Sequence, residues 1–198
     1  MKRLTLTAGV LALGLAGCSN NGLNIGQGFG MDANITGAKV TLTRVPATAT
    51  APATVSLLIT QPTIVFNARP QSVGFKLQKY TVEVLDNAGA RYAADQGIFQ
   101  RSASAVINPG FVCVAAGTGG AATPLDQCAP NAKSAANVAT PIGGLSVITG
   151  AVADQIANVC QSTACPTLKL KITFSGIDDA GRSQNVLASG ADLFIETK

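Results

Sequence analysis

The chain has 198 residues, of which 14 are basic and 10 are acidic, and it contains no histidine. Without histidine the protein has no Ser-His-Asp or Cys-His pair, no imidazole general base and no histidine-ligated zinc or copper. Its few basic residues are not gathered into a stripe, which argues against a nucleic-acid binder.

The first eighteen residues have the parts of an export signal. Basic residues at positions 2 and 3 precede the apolar run Leu4–Leu15. The stretch Leu-Ala-Gly-Cys at 15–18 resembles the lipobox of bacterial lipoproteins, whose pattern is Leu-(Ala/Ser)-(Gly/Ala)-Cys. The resemblance implies that signal peptidase II removes residues 1–17. It also implies that Cys18 then carries a diacylglycerol on its thiol and an acylated amino terminus, with fatty chains such as palmitate.

Two other interpretations of this segment fit less well. A plain secretory signal is cut after an Ala-x-Ala pattern, which residues 15–17 match only loosely. A membrane-spanning helix needs about 20 apolar residues, and this run is shorter. Ser19 stands where enteric-type lipoproteins retained in the inner membrane carry aspartate, so the resemblance favours the outer membrane where an organism has two. We expect a cell-envelope protein whose membrane contact is the lipid on Cys18.

Residues 18–36 are predicted to be the lipidated cysteine and a flexible tether, because this segment is rich in glycine and asparagine and has no sustained period. The Gly26-x-Gly28-x-Gly30 pattern would need a preceding strand and a following helix to bind phosphate, and neither is predicted. The remaining residues, 37–198, are predicted to form a single domain, for which their length is sufficient.

Alternation of apolar and polar residues predicts strands over the first part of this domain, at 39–44, 55–60, 63–66 and 73–92. In the last of these the phase of the alternation changes near Gln78 and Lys79, which predicts a bulge or a bend. Asp86-Asn87-Ala88-Gly89 supplies turn chemistry, with Gly89 available for positive φ. Residues 90–92 would begin the returning strand.

The middle of the chain is predicted to alternate between strands and loops. Strands are expected at 98–107 and 111–115, and a long loop is expected at 116–141. Apolar residues then recur at helical intervals, which predicts a short helix at 150–160.

The C-terminal part is predicted to contain a hairpin like the one at 73–92. Residues 168–174 alternate as a strand with one wet and one buried face. The turn Asp178-Asp179-Ala180-Gly181 then matches residues 86–89, which indicates the same turn chemistry used twice. A final strand is expected at 193–195.

Four cysteines remain besides Cys18, and in an exported chain they predict two disulfides with three connectivities. The sequential pairing, Cys113–Cys128 and Cys160–Cys165, is favoured because each pair brackets a loop without a core of its own. A metal site is disfavoured because the chain has neither a Cys-x-x-Cys pair nor histidine.

No catalytic residue, metal site or cofactor is predicted. A glycosidase needs a carboxylate pair, but Asp178 and Asp179 adjoin in a turn, where we expect them to face solvent. The same two residues are too few for a calcium loop. Tyr80 and Tyr92 are expected to pack beside the first hairpin.

Taken together, the pattern predicts a mostly β fold, an antiparallel immunoglobulin-like β-sandwich with disulfide-pinned loops and one short helix. The hairpins resemble those of immunoglobulin-like and fibronectin-type-III-like envelope modules, which implies binding or scaffolding and seldom catalysis. The first hypothesis is a non-enzymatic structural or accessory lipoprotein that binds other envelope proteins through sheet edges or the loop at 115–141. The second is a ligand- or glycan-binding lipoprotein auxiliary to an uptake system, and the third is a hydrolase that uses carboxylates alone.

Overall fold

A computed structural model describes residues 28–91, 98–114, 123–160, 165, 167–189 and 192–197. This part of the chain is mostly β, with twelve strands, one α-helix and one 3-10 turn at Pro130–Ala132. The strands and helix, in chain order, are β1 (Met31–Thr36), β2 (Lys39–Val45), β3 (Thr54–Thr60), β4 (Thr63–Ala68), β5 (Phe75–Leu85), β6 (Ile98–Ile107), β7 (Phe111–Cys113), β8 (Lys133–Ala135), β9 (Val138–Ile142), α1 (Gly150–Val159), β10 (Leu168–Asp178), β11 (Ser183–Ser189) and β12 (Asp192–Thr197).

The first four strands form one long antiparallel hairpin with a crease. Met31 lies opposite Ala68 and Val45 lies opposite Thr54, and the register is the same on both sides of the break between β1 and β2. The two sides break at the same level, since Lys39 is opposite Thr60 and Thr36 is opposite Thr63. Gly37 turns the chain there with a φ of 78°, a value that glycine adopts without steric cost.

The C-terminal strands complete the sheet around β10. Strand β5 pairs along one edge of β10, and β11 and β12 pair in succession along the other. Strands β11 and β12 in turn pair in parallel with β1 and β2, so the sheet contains parallel pairs as well as the antiparallel ones that were predicted. Two branches of the sheet meet at β10. One branch runs β9, β4, β1, β11 and β10, and the other runs β3, β2, β12 and β10. On the other edge of β10 the sheet continues through β5 to β6. Among the described residues this sheet is not closed, because β3, β6 and β9 each pair on one side only.

The core lies on one face of this sheet and is built largely by alternation of buried and exposed residues. In β10, for example, Leu168, Leu170, Ile172 and Phe174 are buried while Lys169 and Lys171 are exposed. Aromatic rings contact one another in this core, with the Phe66 and Phe174 ring centroids 4.9 Å apart in an edge-to-face contact.

Strand β5 contains the predicted bulge. Its register with β6 shifts between Leu77 and Lys79, where the sequence changes phase. Its register with β10 shifts at Gly176, where an added Cβ would collide with the Lys76 carbonyl and the Phe75 ring. The bulge therefore brings two backbones together at a place that only glycine fits.

Helix α1 confirms the predicted helix and covers the core beside the crease. The Thr149 hydroxyl accepts a hydrogen bond from the Val152 N–H and caps the first turn. The Gln61 side chain, at the crease, donates to the Ile148 carbonyl (2.7 Å) and accepts from the Ile148 N–H (3.0 Å). These two bonds fix the segment that leads into the helix.

The predicted tether at 18–36 is wrong for its last residues. Residues 31–36 form β1, in which Met31, Ala33 and Ile35 are buried, and Phe29 already packs against Phe75. The strand is only six residues long, and the glycine-rich stretch before it masks its alternation. The loop predicted at 116–141 likewise contains β8 and most of β9, whereas Tyr92 and residues 1–27 lie outside the described residues.

Candidate functional site

Both predicted disulfides are present. Cys113 is bonded to Cys128, with Cα atoms 5.7 Å apart, and Cys160 is bonded to Cys165, with Cα atoms 4.7 Å apart. The second bond fastens the end of α1 to the segment before β10. All four thiols are therefore used structurally, and Cys18 lies outside the described residues.

The aspartate pair at 178–179 has a structural role. Asp178 is 2% exposed, so the prediction that it faces solvent is wrong. Its carboxylate accepts hydrogen bonds from the Ala180 and Arg182 N–H groups, the Arg182 guanidinium and the Gln184 amide, at 2.8–3.0 Å. Asp179 accepts from the Gly74 N–H at 3.0 Å. Both carboxylates thus hold the turn in place.

The environment of Asp178 favours its charged form. Burial on its own raises the pKa of this carboxyl group, but the hydrogen bonds from Arg182 and Gln184 and the Arg182 charge outweigh it. The net pKa of Asp178 is lowered. A carboxyl group held as an anion in this way accepts hydrogen bonds and has no proton to donate at neutral pH.

The turn at 86–89 has the same arrangement at a more solvent-exposed position. The N–H groups of Asp86 and Asp178 donate to the carbonyls of Ala90 and Arg182, four residues later. The N–H groups of Ala90 and Arg182 in turn donate to the Oδ1 atoms of Asp86 and Asp178. Gly89 and Gly181 have φ values of 81° and 78°. The predicted reuse of one turn chemistry is confirmed.

An open cleft of about 480 Å³ lies between strands β5 and β6 and the segment that leads into α1. Its lining includes Tyr80, Arg101, Ser102, Ser146 and Thr149, from β5, β6 and the segment before α1. The Tyr80 hydroxyl donates to the Ser146 carbonyl at 2.8 Å, and burial raises the pKa of Tyr80 while the Arg101 charge partly offsets it. Arg101 lies across from Tyr80 and forms no ion pair with any described residue.

The edge strand β3 presents an unpaired edge with no charge. Within the described ranges it pairs with β2 alone, and five of its seven residues are exposed. No charged residue occurs between Arg44 and Arg69, so the edge lacks the lysine or other charge that commonly blocks edge pairing.

Two large apolar side chains are exposed on the outer face of this part of the sheet, one on β3 and one on β12, with β2 between the two strands. Leu58 of β3 is 68% exposed and Phe194 of β12 is 63% exposed. Thr41 of β2, opposite both Leu58 and Glu196, is only 7% exposed although it faces outward. The Lys39–Glu196 ion pair, 2.6 Å between Nζ and Oε2, lies between Phe194 and Leu58 in the strand register. We call strand β3 with Leu58 and Phe194 the β3 surface.

Neither a membrane-spanning helix nor a metal-binding cluster is found among the residues that the structure describes. None of the helices there is long and apolar enough to cross a membrane. No group of three or more acidic or cysteine side chains there is arranged to hold a metal ion.

No protein-family model matches the chain, and no curated protein is significantly similar to it.

Sequence reasoning found the strands that carry these features but not the features themselves. Leu58 and Phe194 were placed in strands, yet alternation alone does not say which face of a strand is covered. Arg101 gave no signal, because its position in the cleft depends on how β6 and the segment before α1 come together. The uncharged run from 45 to 68 was visible in the sequence and could have marked the β3 edge.

Proposed function

We propose that this protein is a non-enzymatic, lipid-anchored accessory protein of the cell envelope that binds other proteins through the β3 surface. The observation that carries the proposal is the uncharged edge of β3, unpaired within the described ranges, with Leu58 exposed on β3 and Phe194 exposed two strands away on the same outer face. An edge strand without charge is a template for pairing with another chain, and exposed apolar side chains near it add buried area on contact.

The anchor rests on the lipobox resemblance at residues 15–18 and is consistent with the two disulfides, which persist in oxidising compartments. Each methylene of an acyl chain that enters the bilayer contributes about 0.8 kcal/mol, so several chains on Cys18 hold the protein firmly. Replacing Cys18 by serine tests this part: the variant should leave the membrane fraction and lose incorporation of labelled palmitate. A variant that stays with the membrane contradicts the anchor.

The binding part is tested with a matched pair of variants. Phe194→Asp places a charge on the β3 surface, whereas Leu187→Asp places one on an equally exposed position of β11, outside it. Detergent-solubilised envelopes are crosslinked, and the wild-type protein and both variants are purified with their partners. We expect partners that are lost with Phe194→Asp and kept with Leu187→Asp; equal capture by both variants contradicts a role for this surface.

We further propose that the creased sheet is a sandwich of the immunoglobulin-like type. The creases at 37–38 and 61–62 let one sheet fold over a shared core, with the two hairpin turns at the ends of neighbouring strands. An experimental structure tests this: two packed layers about 10 Å apart are expected, and a single open layer contradicts it.

The cleft favours a second candidate function, the binding of a small anionic ligand such as an acidic sugar. The cleft is lined by Arg101, which has no ion-pair partner among the described residues, and by several side chains with hydroxyl groups. A few polar groups that converge on one cleft are typical of ligand sites. Calorimetric titration with galacturonate should give binding that Arg101→Gln weakens at least tenfold. Equal heats for the wild type and the variant remove this candidate.

A further inference from the structure

The β3 edge has a sequence that matches itself in type when read in the opposite direction, except that Ser56 meets Leu58. Its residues are Thr-Val-Ser-Leu-Leu-Ile-Thr, from Thr54 to Thr60. An antiparallel copy centred on Leu57 would place Thr54 opposite Thr60, Val55 opposite Ile59, and Leu57 opposite its own copy. Threonine pairs and pairs of aliphatic residues are favourable cross-strand neighbours.

We propose that the β3 edge pairs with the β3 edge of a second copy of this chain, antiparallel and with a two-fold axis at Leu57. The proposal deepens the protein-binding role proposed above and rests on it, because it names the occupant of the β3 edge. A two-fold interface uses the same patch on both subunits and closes, so it ends at a dimer. The sheet then continues through β2, β3, and the β3 and β2 of the second copy.

The side-chain faces agree with this pairing. Leu57 and Ile59 pack against the core of their own subunit, and Leu58 faces outward. A two-fold axis perpendicular to the sheet keeps inner residues with inner residues. Exposed Val55 would lie beside Ile59 of the second copy, and exposed Leu58 would lie beside Ser56 of that copy.

The charges agree as well. Strand β3 has none, and the nearest cations are Lys39 and Arg44 on β2. In the paired sheet the row through Arg44 and Val55 would continue to Ile59 and Val40 of the second copy. The row through Lys39 and Thr60 would continue to Thr54 and Val45 of that copy. No like charges face each other across the pair.

The anchors are compatible with a shared membrane. A two-fold axis at Leu57 makes the two tethers leave from opposite ends of the paired strands. A chain of the length from Cys18 to Gly28 reaches at most about 35 Å when extended, so the proposal requires both tethers to start within that height of one bilayer. Anchoring also raises the local concentration of the two copies, which favours a contact of modest area.

The other two edges of this sheet that are free within the described ranges, β6 and β9, are poorer candidates for self-pairing, and β9 contains Pro141, which has no N–H to donate. Strand β6 is also unpaired on one side within the described ranges, but it carries Arg101, and the residues just before it, 92–97, lie outside the described part. We therefore assign the pairing to β3.

The register is tested by disulfide trapping in whole envelopes, with the full-length lipoprotein. Thr54→Cys and Thr60→Cys are made separately in chains with different epitope tags; both positions are exposed. Opposed Cβ atoms in an antiparallel pair lie about 5 Å apart, whereas two copies of position 54 would lie about 20 Å apart at 3.4 Å per residue. On mild oxidation, co-expressed chains should form a mixed-tag dimer at least tenfold more abundant than any dimer from either variant alone. Peptide mapping confirms that the two native disulfides stay intact.

A second comparison separates loss of pairing from loss of folding. Leu58→Lys, added to both cysteine variants, should reduce the mixed dimer at least fivefold because it charges the edge. Leu187→Lys, at a leucine that is 58% exposed on β11, should leave the dimer unchanged. Absence of a mixed dimer with both folded variants present in the membrane, or equal linking by a single variant, overturns the proposal. If capture of another envelope protein persists in that case, the accessory function stands without the dimer.

Discussion

Asp178 shows how one buried side chain fixes the end of the central strand. Its carboxylate accepts four hydrogen bonds, two from the backbone of its own turn and two from the Arg182 and Gln184 side chains. Removing the carboxylate leaves partly buried donors without an acceptor, which is more costly than the loss of an exposed bond. Asp86 makes the same backbone bond at a partly exposed position.

We therefore expect Asp178→Ala to lower the free energy of unfolding by about 3 kcal/mol. Asp86→Ala, at the matching position of the other turn, should lower it by about 1 kcal/mol. Urea unfolding followed by circular dichroism measures both values. Equal losses for the two variants would show that the burial of Asp178 adds nothing.

The same carboxylate predicts an acid-dependent stability. The pKa of Asp178 is lowered in the folded state, and so is that of Glu83, where burial raises the pKa but the ion pairs with Lys171 and Arg91 outweigh it. The stabilisation from a lowered pKa is complete above the unfolded value, about 4 for these groups, and is lost as the pH falls through the folded value.

The contribution of Asp178 and Glu83 should therefore keep the urea midpoint nearly constant from pH 7 to about pH 5. Below about pH 4 the midpoint should fall, because both carboxylates become protonated. Asp178→Asn should be less stable than the wild type at pH 7 and should lose less on acidification. A variant whose midpoint falls as steeply as that of the wild type would contradict the assignment of the acid response to Asp178.

At the scale of single elements, local patterns were informative. The strand at 98–107, the bulge near Lys79, the helix at 150–160 and both Asp-x-Ala-Gly turns were predicted from period and turn chemistry, because each depends on neighbours in sequence. Strand β1 was missed, since it is short and its neighbours are glycines. The burial of Asp178 was missed because its partner Gln184 and the strands around it come together only in the folded sheet.

The stabilisation that each disulfide contributes depends on the length of the loop that it closes. Cysteines 113 and 128 are 15 residues apart in sequence, and 160 and 165 are 5 apart. In the chain-entropy model, closing the longer loop stabilises the fold by about 3 kcal/mol and closing the shorter one by about 2 kcal/mol.

Replacing Cys113 and Cys128 together by serine should therefore cost more stability than replacing Cys160 and Cys165 together, by about 1 kcal/mol. Guanidinium unfolding of the two double variants gives the comparison. The wild-type protein treated with a strong reductant, which opens both loops, is the control. A larger loss of stability from replacing Cys160 and Cys165 would show that this disulfide stabilises the protein mainly by fixing the end of α1, and not by closing a loop.

At the scale of the whole molecule, the path of the sheet was beyond sequence reasoning. The parallel pairing of β1 with β11 and of β2 with β12 joins segments more than 150 residues apart, and no local pattern specifies such partners. The cleft and the free edge of β3 follow from the same long-range arrangement. The fold class was predictable from alternation, whereas the candidate binding surfaces required the structure.

The proposed anchor would unite these scales, because a lipid on Cys18 would place the disulfides in an oxidising compartment and would bring two β3 surfaces together on one membrane. Mass spectrometry of the intact protein, purified in detergent from its native envelope, tests this most directly. We predict a chain that begins at Cys18, carries added fatty acyl mass at its first residue and has no free thiol. A chain that still contains residues 1–17, or that has four reduced cysteines, would contradict the account.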